Sequence, residues 1–162
     1  MGAGKSGQMI LLSDTSAVTS LLQIGRVELL SRIYGEIFIP EAVESELRPA
    51  HPELPEFIYV RKITPHRDDQ RLTAVVDEGE AEAIVLATEM NADELLMDET
   101  EGRRVALAEG LRIVGLLGFL LEAKQRGLIG SVRQVTAELE NTATFHVSEA
   151  VKEIIFRAAG EL

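Results

Sequence analysis

Residues 9–16 read MILLSDTS, and this octet decides the fold class. Met9–Leu12 is an unbroken apolar run, too short for a helix and suited to a strand covered on both faces. Ser13, Asp14, Thr15 and Ser16 follow at once, with the side chains that open helices. Val18, Leu21, Leu22 and Ile24 then recur at helical spacing until Gly25. A covered strand feeding directly into a helix is the first unit of an α/β fold with a mainly parallel sheet.

The pattern continues downstream. A second helix carries Val27, Leu29, Leu30 and Ile33 and stops at Gly35. Ile37–Ile39 reads as a strand, and Pro40 opens a helix with Val43 and Leu47 on one face. After a loop with Pro49, Pro52 and Pro55, Ile58–Ile63 is a third strand. The helix from Gly79 places Ala83, Ile84, Ala87 and Met90 at helical spacing. Leu95–Met97 and Arg112–Val114 complete the expected strands, with a helix over 101–109 between them and one from Leu116 to Arg126 after them. Segments near 131–139 and 147–158 read as amphipathic helices. Upstream, residues 1–8 (MGAGKSGQ) contain GAGKS, a fragment of a phosphate-binding loop without the upstream Gly and feeding strand that the loop needs. Residues 1–8 are expected to be a flexible extension or tag remnant, and 9–162 one domain with C-terminal helices.

The chain has 162 residues, 46 % of them apolar, enough to bury a core without staples. It has no Cys, which excludes disulfides, thiolate metal sites and a cysteine nucleophile. No apolar run is long enough to span a bilayer and no secretory signal is evident, so a cytoplasmic protein is expected. The formal charge of −11 argues at first against a polyanionic partner. Yet residues 77–101 hold ten acids and no Lys, Arg or His, leaving 17 acids against 16 bases elsewhere. The acidity is local.

Ligands of parallel sheets bind at the carboxyl ends of the strands. Asp14 leaves the end of the first strand and Asp98 the end of Leu95–Met97; each could instead cap the helix that follows. From the helix opened by Pro40, Glu46 borders the buried face, and Glu44 is the more exposed alternative. Glu80 has Ile84 and Ala87 at i+4 and i+7, on the sheet side. Glu78, Glu82 and Glu89 form a separate stripe read as solvated, with Glu82 the second choice. Converging carboxylates repel one another, and a hard divalent cation, Mg²⁺ or Mn²⁺, is the usual resolution. Such a cation inverts the local potential and can activate water against a phosphodiester.

With these residues in place, the sequence resembles the PIN-domain family, which includes the VapC toxin ribonucleases. The resemblance rests on SDTS (13–16), PEAVESEL (40–47), GEAEAIVLA (79–87), ADELLMDE (92–99) and GRR (102–104), in that order. GEAEAI, the acidic pair followed by Gly-Arg, and the stretch Gly115–Leu128 are similar to a poorly characterised prokaryotic branch. The resemblance implies a three-layer α/β/α sandwich around a parallel sheet of four or five strands. It implies metal-dependent endonucleolytic cleavage of RNA, with Asp14, Glu46, Glu80 and Asp98 as the metal-holding acids and Glu82 and Glu99 as secondary candidates. Thr15 or Ser16 matches the hydroxyl after the first acid. A homodimer and a small antitoxin partner are implied likewise, the dimer also fitting the apolar positions from Leu21 to Ile33. Many toxin-type members carry Thr two residues before the fourth acid; this chain has Leu96.

Arg103 and Arg104 are candidates for substrate phosphate, or for charge balance against Glu99 and Glu101. Lys124 and Arg126 read as surface charges complementing a helix end. His51, His66 and His146 have no ligand spacing, and the aromatics are too few for a stacking platform. Two rival functions stand beside the nuclease: a PIN-like module that binds RNA or protein without cutting, and a haloacid-dehalogenase-type phosphohydrolase with Asp14 as nucleophile. The latter wants a second Asp where this chain has Ser16.

Overall fold

A computed structural model of the chain describes residues 9–64, 71–143 and 145–162. The expected extension at 1–8 and His66 lie outside the described residues. The strands are β1 (Met9–Ser13), β2 (Gly35–Pro40), β3 (Ile58–Arg61), β4 (Glu94–Leu96) and β5 (Ile113–Val114). The helices are α1 (Thr15–Gln23), α2 (Glu28–Tyr34), α3 (Glu41–Leu47), α4 (Glu78–Glu89), α5 (Thr100–Ala108), α6 (Leu116–Gln125), α7 (Val132–Thr142) and α8 (Glu149–Ala158). A further helical turn covers 71–73.

All four strand pairings are parallel, in the order β3-β2-β1-β4-β5. Side-chain alternation along these strands splits the interior in two. Leu11, Ile37, Ile39 and Leu96 point into one core with α1, α2, α6, α7 and α8, while Leu12, Phe38, Leu95 and Met97 point into another with α4 and α5. The result is the expected three-layer α/β/α sandwich. The apolar positions from Leu21 to Ile33 that fitted a dimer are largely spent inside: Leu21, Leu29, Leu30 and Ile33 are buried in the chain's own core.

The strand order puts β1 beside β4 at the point where the succession of strands reverses direction, the place where open α/β sheets form a crevice. The Asp14 N–H donates to the Leu96 carbonyl at 3.3 Å, so the two strand ends bearing the candidate acids are pinned together.

The C-terminal helices are tied down by one carboxylate. Glu161 accepts from Lys124 Nζ (2.8 Å), Ser131 Oγ (2.7 Å) and the N–H groups of Val132 (2.7 Å) and Arg133 (3.0 Å). It thereby satisfies open donors at the N-terminus of α7, where the helix dipole favours an anion. Against the desolvation that burial imposes, these partners hold its pKa down to about 2. Lys124 also donates to the Ala159 carbonyl at 2.7 Å, so it anchors the chain's end instead of serving as a surface charge. Arg126 does pair on the surface, with Glu122 one turn back.

Candidate functional site

Asp14 is the N-cap of α1: its Oδ1 accepts from the Ala17 N–H at 3.2 Å, and Ser16 Oγ donates to Oδ2 at 3.4 Å. It is 2 % exposed. Burial raises its pKa, the Ala17 N–H opposes this, and the nearby charges of Asp98 and Glu80 raise it further, to about 8 against an ordinary 3.8. Asp14 therefore does cap the helix that follows it, and does so facing the charges of Asp98 and Glu80.

Glu80 belongs to a capping box at the start of α4. Its N–H donates to Asp77 Oδ1 at 2.8 Å, while its Oε1 accepts from the Asp77 N–H at 3.2 Å. The carboxylate is buried, as its i+4 and i+7 partners imply. Burial is the main cause of its raised pKa, with Asp77, Glu99 and Glu46 adding repulsion and the Asp77 N–H opposing them. Asp98 does not cap the helix that follows it. Both its oxygens accept from the Leu116 N–H, at 3.1 and 3.2 Å, so it caps α6 from another strand. Burial raises its pKa too, with Leu116 and Arg103 opposing and Glu99 adding to it.

Glu46 departs from its expected burial. It is exposed, whereas Glu44 is half-buried and paired with Arg48 at 2.8 Å. Glu46 is nonetheless the acid of α3 that reaches across, accepting a hydrogen bond from Thr15 Oγ1. That approach is possible because residue 79 is Gly: a Cβ there would lie 2.5 Å from Glu46 Oε1. Gly115 gives way likewise, since its Cβ would lie 2.6 Å from the Arg103 guanidinium and 3.0 Å from Asp98 Oδ1.

Asp14, Glu46 and Glu80 line one cleft of about 350 Å³, with Thr15, Ser16 and Glu99. Asp98 faces an adjoining groove, and Glu99 lines both spaces. Glu82 turns elsewhere: its carboxylate accepts from the Ala42 N–H at 3.0 Å and satisfies the start of α3. Its neighbour in the expected solvated stripe, Glu89, likewise accepts from the Thr64 N–H. Arg103 lies beside Asp98, with its guanidinium donating to the Met97 carbonyl at 3.3 Å. Arg104 is exposed and pairs with Glu101 at 2.8 Å, away from the cleft. Asp77 also lines the cleft and escaped sequence reasoning, although the Asp-x-x-Glu spacing of a capping box announces it.

A family model described as a PIN domain (DUF3368) matches residues 10–161. The chain belongs to the PIN-domain family. No curated protein matches it. Among solved structures, the chain is similar to a PilT N-terminus domain protein from the hyperthermophilic archaeon Sulfolobus solfataricus P2. The identity is 19 %, the TM-score 0.54, and the match covers 71 % of this chain and 93 % of that one. That likeness concerns the fold. PIN domains are generally nucleases that use divalent metal ions, so the nuclease-like class follows from membership. No helix among the described residues is long and apolar enough to cross a membrane.

The carboxylates of this PIN domain fit a hard cation by chemistry. Asp14, Glu80 and Asp98 all have raised pKa values, so mutual repulsion and desolvation disfavour the anions when they are alone together. Among the described residues, no three acids or histidines are close enough to enclose an ion. An open, oxygen-only site of this kind suits Mg²⁺ or Mn²⁺ held by one or two carboxylates, with the others reached through water.

Proposed function

We propose that this PIN domain is a Mg²⁺- or Mn²⁺-dependent endoribonuclease, with Asp14, Glu46, Glu80 and Asp98 as its metal-holding acids. The observation that carries the reading is Asp14: a buried carboxylate at the sheet's switch point, in one cleft with Glu46 and Glu80. When bound, the cation supplies positive charge to the scissile phosphate and acidifies water at the site. Thr15 orients Glu46, Ser16 steadies Asp14, and Glu99 lines both the cleft and the adjoining groove, adding negative charge beside Glu80 and Asp98. Arg103, held by the Met97 carbonyl, keeps donors for a phosphate oxygen. Arg104 remains a candidate for more distant phosphates.

Incubation of a mixed RNA pool with Mn²⁺ is expected to give cleavage that EDTA abolishes; cleavage that persists in EDTA overturns the metal reading. In the same reading the protein is the toxin of a toxin–antitoxin pair, acting in the cytoplasm, as a homodimer, under restraint by a small antitoxin protein. Growth arrest on expression, relieved by the product of an adjacent small gene, is its test. A catalytically weak RNA- or protein-binding module is the second reading, favoured by Leu96 at the Thr position and by the openness of the acid cluster. RNA retained but never cut, whatever the metal, selects it.

Gly79 separates stability from activity. Gly79→Ala pushes against Glu46 Oε1, the far end of a flexible and exposed side chain, so the fold tolerates it. Helix propensity is expected to leave stability unchanged or raise it by about 1 kcal/mol. Cleavage is expected to fall about tenfold as Glu46 is displaced from Thr15. Thermal melts run beside cleavage rates check this; a stability loss with full activity contradicts it.

A further inference from the structure

Beside the acidic cleft lies a second, larger groove of about 750 Å³, within the ~300–1,000 Å³ range of ligand-binding clefts. The two spaces are continuous, sharing Ser16, Ser20 and Glu99 as common walls. On one side of the groove Arg103 stands next to Asp98. On the other runs the segment 145–148, which enters α8.

That segment combines two kinds of surface. Val151, in the first turn of α8, is 42 % exposed and presents apolar surface to the groove, while Phe145, packed in the core and 8 % exposed, lines the groove beneath it. His146 and Ser148 add polar atoms beside them. Among the described residues, none hydrogen-bonds the backbone N–H or C=O groups of 145–147. Open main-chain donors and acceptors next to apolar side chains match the two demands of a nucleobase, an apolar face and a polar edge. A guanidinium at the end nearer the acids matches the phosphate that such a base carries.

We propose that this groove is the subsite for the nucleotide adjoining the scissile phosphate, and that His146, Val151 and the main chain of 145–147 set which base is accepted there. The inference rests on the ribonuclease reading, since continuity with the cleft is what names the occupant. Arg103 fixes the phosphate between cleft and groove, and the base lies against Phe145 and Val151 with its edge toward 145–147. The C-terminal helices thus contribute specificity to a site whose acids all come from earlier in the chain.

The test is sequencing of the cleaved ends of a randomised RNA pool, with wild type, His146→Ala and Val151→Trp. Wild type is expected to prefer one base class about tenfold at one position flanking the cut. Val151→Trp, which fills the groove, and His146→Ala are expected to flatten or shift that preference among the cuts that remain, and both variants are expected to melt as wild type. A preference unchanged in both variants, or absent from wild type, overturns the subsite. If wild type cuts no RNA, the ribonuclease reading fails on its own. The groove is then judged by calorimetry and amide NMR with the four nucleoside 5′-monophosphates. Binding that moves the 145–151 amides and is lost in Val151→Trp upholds it; no binding of any of the four overturns it.

Discussion

Asp14→Asn is expected to lower RNA cleavage by at least about 100-fold and, in the same protein, to raise the melting temperature of the metal-free form at pH 8. Both effects come from one charge. The folded chain holds Asp14 at a pKa of about 8, against an ordinary 3.8. Between those values the native state keeps a proton that the unfolded chain has released, so stability falls as pH rises through that window. Asparagine retains an oxygen for the Ala17 N–H and removes the charge, and with it the penalty. The gain is expected to be small near pH 4 and largest at pH 8, at roughly 2–4 °C for each kcal/mol relieved. Mn²⁺ is expected to raise the melting temperature of wild type more at pH 8 than at pH 5, and to do little to the variant. Melts at both pH values, with and without Mn²⁺, decide the matter. Equal melting temperatures for the metal-free proteins at pH 8 would show that Asp14 carries no such penalty.

Glu161→Ala has the largest expected effect on stability alone, a loss of about 2–3 kcal/mol. It strips the acceptor from Ser131 and the first N–H groups of α7 together, and leaves Lys124 only the Ala159 carbonyl. The pH dependence runs opposite to that of Asp14. A carboxylate held at about 2, below its ordinary 4.5, adds stability that is complete above the ordinary value and lost as pH falls through the lower one. The gap between wild type and variant is therefore expected to narrow in acid. Glu161→Gln, which keeps an acceptor without the charge, is expected to fall between them. Denaturant titrations at pH 3 and pH 7 measure all three; a gap that widens in acid contradicts the assignment.

Local rules made the alternation of strands and helices legible in the sequence, and the side-chain pattern of α4 placed Glu80 on the sheet side. Asp14 and Asp98 were legible from their positions after covered strands. What local pattern does not carry is contact between distant elements. Glu46 was sought at the border of a buried face, yet its place is set by Thr15 and by the missing side chain at Gly79, 33 residues further on. Glu82 looked solvated because its partner, the Ala42 N–H, belongs to another helix. For Asp98 the alternative to a site residue was a cap on the helix that follows, and the pairing of β4 with β5 brings the start of α6 to it instead. Lys124 looked like a free surface charge until the chain's end folded back upon it. The apolar stretch from Leu21 to Ile33 promised a partner, and the core of the same chain absorbed it.

The pinning of Asp14 to Leu96 and of Asp98 to Leu116 has a consequence for the order of events on the ribosome. The chain emerges from its N-terminal end, and the first acid is made about a hundred residues before the backbone group that steadies the last. Until β4 docks beside β1 and α6 starts, Asp98 is not held beside the cleft of Asp14, Glu46 and Glu80. Under the ribonuclease reading, a ribosome translating this protein is surrounded by its own messenger while the nascent product is still inert. In that reading cleavage competence arrives only once Leu116 has been made and the sheet has folded back on β1.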